Sequence, residues 1–279
     1  MESNRSSSRF QYSVEDSTIE LPNGIHLAIR RVNPLKSSDE LPVLVFLHEG
    51  LGCIRMWKKF PEQLVAATGC PGLIYDREGY GGSDPLREVR ASDYMHRAAF
   101  EELPAVLEAC GVSNPLLVGH SDGGTIALLY ASRFPVRAII TVAAHIFVEG
   151  EAALGGIRKI VKLWNMGKVE SALYRYHGEK TRDVFFAWAD TWTAPWFRDW
   201  NIKEYLPDIS CPALLIQGAK DEYATNDHLY NIAERLGGPV KTALIPECGH
   251  SPHLEHREAV LTLMRDFIIE LCRNSDLIL

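Results

Sequence analysis

The order of apolar and polar positions predicts strands and helices that alternate along most of the chain. Continuous apolar runs of strand length occur at residues 43–47, 116–119 and 213–216, as expected for strands buried on both faces of a parallel sheet. Apolar residues at helical spacing follow at 125–133 and close the chain at 254–272. This alternation predicts an α/β fold, in which helices cover a parallel sheet.

Weaker signals complete the predicted order of elements. Pro22-Asn23-Gly24 separates residues 19–21 from 25–32 and is typical of a hairpin turn. The remaining predictions are strands at 72–75, 137–143 and 241–245, and helices at 92–110 (despite Pro104) and 229–236.

One long segment interrupts the alternation. Residues 145–208 contain no convincing strand but hold five of the six tryptophans, Trp164, Trp188, Trp192, Trp196 and Trp200. We predict a helical cap (lid) inserted before the last strands; the alternative is a subdomain that only packs. The predicted organisation is therefore a disordered lead-in at 1–16, a core at 17–144 and 209–279, and a cap at 145–208.

Composition narrows the range of partners and locations. The 279 residues carry a formal net charge of −7, which argues against nucleic acid, since phosphate binding needs a basic surface. No apolar run reaches the length of a membrane helix, and no signal peptide is evident. The six cysteines are scattered without a CxxC pair, which favours reduced thiols. These features predict a cytoplasmic protein with no membrane partner.

The segment Gly119-His120-Ser121-Asp122-Gly123 joins a predicted strand to a predicted helix. It matches the G-x-S-x-G nucleophile elbow, whose tight turn leaves no room for side chains two residues from the serine. The turn projects the hydroxyl at the N-terminus of a helix, where the dipole favours negative charge. We predict Ser121 as a nucleophile; the alternative is an ordinary glycine-rich turn.

A nucleophilic serine needs a base and an acid that orients the base. Asp221 and His250 each follow a predicted strand, near the sheet edge where catalytic groups of open parallel sheets gather. We predict His250 as the base and Asp221 as the acid, with Glu222 as the alternative acid.

An oxyanion needs backbone N–H donors. The residue after the nucleophile, Asp122, and the loop after an early strand are the expected sources. In the loop His48-Glu49-Gly50-Leu51-Gly52, Gly50 is the first candidate and Leu51 the second; a plain glycine-rich turn is the alternative.

With these motifs the chain resembles the α/β-hydrolase superfamily over nearly its whole length. The resemblance rests on the His48-Glu49-Gly50 turn, the segment Asp76-Arg77-Glu78-Gly79-Tyr80-Gly81-Gly82-Ser83, the Ser121 elbow, Asp221 and Gly249-His250. It implies an eight-stranded, mostly parallel sheet flanked by helices, a helical cap and no cofactor. It is similar to cap-bearing bacterial serine hydrolases of the esterase, lactonase and C–C hydrolase types.

Two positions depart from the superfamily's pattern. Glu49 stands where many relatives have glycine, and Glu78 where they have proline. Together with Asp122, they predict three carboxylates near the pocket mouth, bound by arginines or water. The alternative is a site that prefers neutral or cationic substrates. Glu49, Trp188 and Trp192 are the candidate substrate-binding residues.

Three histidines spaced H-x-x-H-x-x-H, at His250, His253 and His256, suggest a metal site. Zinc ligands on a helix more usually lie four residues apart, and His250 is needed as the base, so no metal is predicted. His120 is expected to point away from the nucleophile, in a structural role.

These residues predict a hydrolase that cleaves a small carboxylic ester or lactone through an acyl-serine intermediate, with no cofactor and only a small molecule as partner. The alternatives are a C–C bond hydrolase of ring-cleavage products, an aminopeptidase-like hydrolase, and a small-molecule receptor with a vestigial triad. Turnover of a vinylogous diketone, turnover of an amino-acyl amide, or tight binding without turnover distinguishes them. The sequence carries no signal for an oligomeric state.

Overall fold

The computed structural model describes residues 12–35 and 41–275, which form a single eight-stranded sheet flanked by helices. The strand order is β1-β2-β4-β3-β5-β6-β7-β8. Only the β1/β2 and β2/β4 pairs are antiparallel, so the predicted mostly parallel sheet is confirmed. The strands are β1 (Tyr12–Glu20), β2 (His26–Pro34), β3 (Leu44–Leu47), β4 (Gly72–Tyr75), β5 (Leu116–His120), β6 (Ala138–Val142), β7 (Ala213–Gly218) and β8 (Val240–Ile245).

Helices connect the strands and form the segment that precedes β7. They are α1 (Phe60–Thr68), α2 (Tyr94–Arg97), α3 (Leu103–Cys110), α4 (Asp122–Ala131), α5 (Glu151–Asn165), α6 (Glu170–His177), α7 (Thr181–Thr193), α8 (Asp227–Arg235), α9 (Pro252–Glu255) and α10 (Arg257–Ser275). No helix in ranges 12–35 and 41–275 is long and apolar enough to cross a membrane.

Burial explains why the apolar runs predict the central strands well. Every residue of β3, β4, β5, β6 and β7 is buried. Helices cover both faces of these strands, so neither face requires polar residues. The ends of the sheet differ, since most residues of β1 and half of those in β8 are solvent-exposed.

The start of the fold corrects the predicted lead-in. Residues 12–16 belong to β1, which pairs with β2 from Tyr12↔Pro34 to Glu20↔His26. An edge strand with little burial needs few apolar residues, so β1 carries no clear apolar signal. The prediction of disorder is therefore wrong for residues 12–16, and residues 1–11 lie outside the described residues.

Two predicted helices are interrupted at identifiable residues. The helix predicted at 92–110 begins at Tyr94 and contains a π-helical turn, Ala98–Glu102, just before Pro104. Proline lacks an N–H group and clashes with the preceding turn, so a local widening of the helix accommodates it. The helix predicted at 254–272 is divided by a break at His256 into α9 and α10.

The segment predicted as a cap is helical and is docked on the sheet domain. It contains α5, α6 and α7, and its side chains share one continuous apolar cluster with the sheet and α4. Polar contacts also join the two parts: Arg55 donates to the Arg175 carbonyl at 2.6 Å, and His177 Nε2 lies 2.9 Å from the Leu51 carbonyl. The boundaries at 144/145 and 208/209 stay a prediction.

The strand register determines where the candidate catalytic loops meet. His120 pairs with Val142 at the end of β5 and β6, and Gly218 pairs with Ile245 at the end of β7 and β8. These strands are parallel, so the loops that follow them emerge at the same edge of the sheet.

Glycines allow helix α4 to begin directly against this edge. A Cβ atom on Gly119 would lie 2.2 Å from the Gly123 carbonyl oxygen, and one on Gly123 would lie 2.0 Å from the Leu47 carbonyl oxygen. Both obstacles are backbone atoms, which cannot rotate away. The two outer glycines of the motif are therefore required by packing.

We predict that Gly123→Ala lowers the free energy of unfolding by roughly 1–3 kcal/mol or more, because the new methyl group overlaps backbone atoms. Gly155→Ala is the matched control. Gly155 lies in α5 with open space around its Cα, so alanine should raise stability by about 0.5–1 kcal/mol. Urea unfolding of both variants tests this; equal stability changes would contradict it.

Candidate active site

Ser121 occupies a strained turn between β5 and α4. Its φ of 53° and ψ of −117° lie in a region that non-glycine residues rarely adopt. Hydrogen bonds on both sides hold the turn: the Ser121 N–H donates to the Val142 carbonyl at 2.8 Å, and the Thr125 N–H donates to the Ser121 carbonyl at 3.1 Å. The predicted elbow geometry is therefore present.

The structure brings Ser121, His250 and Asp221 together in one hydrogen-bonded chain. Ser121 Oγ lies 2.9 Å from His250 Nε2. On the other side of the ring, His250 Nδ1 lies 2.9 and 2.8 Å from Asp221 Oδ1 and Oδ2. Because the carboxylate accepts from Nδ1–H, Nε2 is free to accept the serine proton. The alternative acid, Glu222, is solvent-exposed.

The protein holds Asp221 in an orientation suited to this contact. Its side chain is fully buried, and it accepts hydrogen bonds from Gln217 Nε2 at 2.7 Å and from the Tyr223 N–H at 2.8 Å. Burial opposes ionisation of Asp221, but the His250 charge and hydrogen bond prevail and lower the pKa of this carboxyl.

The same pair changes the basicity of His250. Burial alone would lower the pKa of the imidazole, yet the charge and hydrogen bond of Asp221 raise it above the ordinary value of 6.5, with support from Glu222 and Glu49. His145, whose ring centroid lies 5.6 Å from that of His250, has no such acid. Burial and the His250 charge lower its pKa to about 4.

The predicted oxyanion residues lie side by side. A Cβ atom on Gly50 would be 3.2 Å from Asp122 Oδ2 and 2.5 Å from Trp188 Cδ1. The Gly50 carbonyl accepts from Tyr80 Oη at 2.9 Å, and Asp122 Oδ2 accepts from Tyr94 Oη at 2.9 Å. These bonds turn the carbonyl and the carboxylate toward tyrosines. The choice between Gly50 and Leu51 as second donor stays a prediction.

A cavity of about 200 Å³ opens onto Ser121 and His250. Predicted residues that line it are Glu49, Gly50, Leu51, Asp122, Trp188 and Trp192. Apolar side chains that sequence reasoning did not nominate are Met56, Val148, Leu154, Ile157 and Leu173. Of the other tryptophans in the segment, Trp164 stacks on Phe185 at 4.1 Å and Trp200 on Phe197 at 5.1 Å, whereas Trp196 is exposed.

The three carboxylates do not share one environment. Asp122 is buried, with Arg77 Nη1 at 4.0 Å, and Glu49 lies 3.5 Å from His120 Nδ1. Glu78 accepts from the Arg87 N–H at 2.9 Å and lines a neighbouring cavity instead. The prediction that all three lie near the pocket mouth is therefore wrong for Glu78, which does not line the cavity at Ser121.

Burial opposes ionisation of Glu49, but the neighbouring His120, 3.5 Å away, outweighs it and lowers the pKa of Glu49 to about 2. The Glu49 carboxylate is 21% exposed and lines the cavity. It is therefore a negative charge at neutral pH. Its position also requires Gly52, where a Cβ would be 2.2 Å from Glu49 Oε2.

His120 corrects another expectation, since it does not point away from the site. It lines the cavity, and its Nε2 lies 2.9 Å from the His250 carbonyl oxygen.

The histidines that suggested a metal site have other contacts. His253 packs against Trp57, with ring centroids 4.9 Å apart. Within the described ranges, no group of three or more metal-binding side chains is found.

His145, Glu149 and Tyr223 line the cavity but were not predicted. His145 follows β6 by three residues and Tyr223 follows Asp221 by two. The rule that functional groups gather beyond parallel strands already points to both. Glu149 carries no such signal, because the contact that places it, a 2.8 Å bond from the Thr225 N–H, spans 76 residues.

The sheet, the elbow and the hydrogen-bonded Ser-His-Asp chain define a class of hydrolase. The model of the alpha/beta hydrolase family matches residues 44–263. The chain belongs to the α/β-hydrolase family.

Relatives of several activities share this fold. The human serine hydrolase BPHL is 29% identical over 208 residues, covering 70% of this chain and 68% of its own. A 2-hydroxy-6-oxo-6-phenylhexa-2,4-dienoate hydrolase from Burkholderia cepacia is 21% identical over 266 residues, covering 84% of this chain and 90% of its own. The crystal structure of a proline iminopeptidase from Mycobacterium smegmatis has a TM-score of 0.71 at 20% identity, covering 94% of this chain and 100% of its own. The resemblance therefore does not single out bacterial hydrolases.

We predict that Asp221→Asn lowers the pKa of His250 below 6.5. The amide removes the negative charge that offsets burial, so the imidazolium loses its main stabilisation. NMR titration of the ring C–H signals measures this directly, with His96, whose pKa shift has its causes outside this site, as the internal reference. Glu222→Gln is the control and should change the His250 pKa less than Asp221→Asn. A wild-type titration curve in Asp221→Asn would contradict the prediction.

Proposed function

We propose that the protein is a serine hydrolase that cleaves a small carboxylic ester or lactone through an acyl-serine intermediate. The observation that carries the proposal is the hydrogen-bonded chain Ser121–His250–Asp221 at the wall of a cavity. Membership of the α/β-hydrolase family supports hydrolysis as the reaction class.

In the first half-reaction, Ser121 Oγ attacks the ester carbonyl carbon while its proton passes to His250 Nε2. Asp221 stabilises the imidazolium that forms and keeps Nδ1 protonated. The tetrahedral intermediate then collapses: the C–O bond to the leaving group breaks, and His250 gives its proton to the departing alkoxide. The acyl group remains on Ser121.

In the second half-reaction, water gives a proton to His250 and attacks the acyl carbon. Collapse of this intermediate releases the carboxylic acid and returns the proton to Ser121. In both steps the developing oxyanion is held by the N–H groups of Asp122 and Gly50, with Leu51 as the alternative to Gly50. The N-terminus of α4 adds a favourable dipole at the same point.

The cavity sets the expected size of the acyl group. Its volume of about 200 Å³ is small, and apolar side chains from α5, α6 and α7 form the wall opposite the triad. Trp188 lies directly above Gly50 and limits the space over the proposed oxyanion hole. These features favour short or compact acyl groups over long chains.

The charge of the cavity supports a second candidate function. This function is hydrolysis of a substrate that carries a cation near the scissile bond. The lining includes Glu49, Asp122 and Glu149 but no lysine or arginine. An amino-acyl ester or amide would place its ammonium group beside Glu49 and Glu149, since the Asp122 carboxylate is buried against Tyr94 and Arg77. One structural relative, from Mycobacterium smegmatis, is a proline iminopeptidase, which is consistent with this candidate.

We also infer a cytoplasmic location. Cys53 and Cys248 are not in disulfides, and burial, the largest cause, raises the pKa of Cys53 to about 12 and of Cys248 to about 11. Protonated thiols suit a reducing compartment.

We predict that the wild type hydrolyses p-nitrophenyl esters, with an optimum at short acyl chains in a series from acetate to decanoate. Ser121→Ala should lose at least about a thousandfold in kcat/KM, because no nucleophile remains. Ser132→Ala is the matched control, since that hydroxyl donates to the Leu129 carbonyl at the end of α4, outside the cavity; it should keep wild-type activity.

Activity retained in a folded Ser121→Ala variant would contradict the acyl-serine mechanism. A folded wild type without activity on any ester would favour the alternatives instead. A vinylogous diketone then tests C–C bond hydrolysis, an amino-acyl amide tests aminopeptidase-like cleavage, and tight binding without turnover identifies a receptor.

We predict that an ester with an ammonium group is preferred over its neutral isostere, and that Glu49→Gln lowers this preference about 3- to 10-fold. The expected effect is that of one partly exposed charge pair. Glu78→Gln is the control, because Glu78 lines the neighbouring cavity. The ratio of kcat/KM for the two esters is the measurement, and an equal change in both variants would exclude Glu49 as the source.

A further inference from the structure

A second cavity, of about 490 Å³, lies beside the first. Its walls come from the β1–β2 hairpin, the loop after β4 and the helical segment that begins at Tyr94. Ser121 and His250 do not line it, and Arg77 and Tyr94 stand between the two cavities, since both approach Asp122. Its volume is in the range of small-molecule sites.

The charged side chains of this cavity are four arginines and four glutamates: Arg77, Arg87, Arg90, Arg97, Glu78, Glu88, Glu101 and Glu102. The glutamates already have partners, since Glu78 and Glu102 accept backbone N–H bonds and Glu88 and Glu101 lie beside Arg97. Three of the arginines are satisfied as well. Arg97 lies 2.9 Å from Glu88, and Arg87 donates to the Asn23 and Gly24 carbonyls at 3.1 and 2.6 Å. Arg77 donates to the Glu49 carbonyl at 2.9 Å. These cations are held by the fold and have little capacity left for a ligand.

Arg90 differs from the other three. Its Nη2 donates to Tyr80 Oη and its guanidinium lies over the Tyr94 ring, 4.7 Å from the centroid. Its Nη1 is buried and has no hydrogen-bond partner among the residues described. None of the ion pairs found in the described part of the chain includes Arg90. Burial lowers the pKa of this guanidinium, although the charges of Tyr94, Asp122 and Glu102 oppose the shift.

The rest of the cavity wall provides apolar surface. Leu21, Ile25 and Leu86 line it together with Ala98, and Val89 is 94% exposed at the same loop. An exposed branched side chain beside an unpaired buried cation gives the cavity two distinct binding features. A ligand complementary to both has an anionic end and an apolar body.

We propose that this cavity is a binding site for a small carboxylate with an apolar body, whose carboxylate pairs with Arg90. A carboxylate supplies the missing acceptor for Nη1 in a charge-assisted hydrogen bond. The apolar body covers the surface of Leu21, Ile25 and Val89.

The first cavity is lined by no lysine or arginine, whereas the second contains Arg90 with an unused donor, which makes the proposal distinguishable from binding at the active site. The first cavity is lined by Glu49, Asp122 and Glu149 without a cation, so it disfavours a free carboxylate. A preference for an acid over its uncharged amide therefore reports on the second cavity. The proposal does not depend on the reaction catalysed at Ser121.

The test is calorimetric titration of the wild type with 4-phenylbutanoate and with 4-phenylbutanamide, which has nearly the same shape and no charge. The acid is expected to bind at least about tenfold more tightly than the amide, the usual size of one charged hydrogen bond. Equal affinities, or tighter binding of the amide, would overturn the proposal without any variant.

Two substitutions locate the site. Arg90→Gln is expected to reduce the affinity for the acid to that for the amide, whereas Arg87→Gln, at the same cavity, is expected to stay within about twofold of the wild type. Equal losses in both variants, or no loss in Arg90→Gln, would overturn the assignment. Ala98→Trp fills the cavity and leaves the charge of Arg90 unchanged, so it should abolish binding of both compounds. This variant decides the outcome if Arg90→Gln does not fold.

Discussion

The left-handed turn at Ser121 is the constraint on which the rest of the site depends. A non-glycine residue at φ 53° is strained, and it persists because both flanks are anchored to backbone. The Ser121 N–H is bonded to β6, and Gly123 abuts the end of β3 with no room for a side chain. Helix α4 therefore starts within contact of two strands. That close approach gathers the loops after β3, β5 and β6 around a single hydroxyl.

Arg77 makes the second set of contacts on which the geometry of the site depends. It is almost fully buried, and it donates to the carbonyl oxygens of His48 and Glu49 while its Nη1 lies 4.0 Å from Asp122. A buried charge that is satisfied by backbone carbonyls and a carboxylate fixes the loop after β3 relative to α4. Glu49 and Gly50 follow from that placement: the first faces the cavity as an anion, and the second lies against Asp122 and Trp188.

The two tyrosines beside Arg77 connect the cavities. Tyr80 donates to the Gly50 carbonyl and receives a bond from Arg90, and Tyr94 donates to Asp122 while its ring lies under the same guanidinium. The acidic cavity and the cavity with the unpaired cation thus share one polar wall. Glu49 faces the first cavity as an anion, and Arg90 Nη1 is an unused donor at the second, so we expect the two cavities to prefer ligands of opposite charge.

Local signals in the sequence determined the central strands, the elbow and the three residues of the hydrogen-bonded chain Ser121–His250–Asp221. Those strands are buried on both faces, so their apolar runs are unambiguous, and the turns beyond them carry glycines that only one geometry requires. The hairpin turn indicated only the end of β1; its first residues, 12–16, lie in an edge strand with little burial and carry no apolar signal. The sequence also missed the contacts of Glu78, His120 and Arg90, which depend on residues distant along the chain. Contacts between side chains from loops that are distant along the chain leave no local pattern in the sequence. Only the tertiary structure therefore decided which charged side chains are paired and which are not.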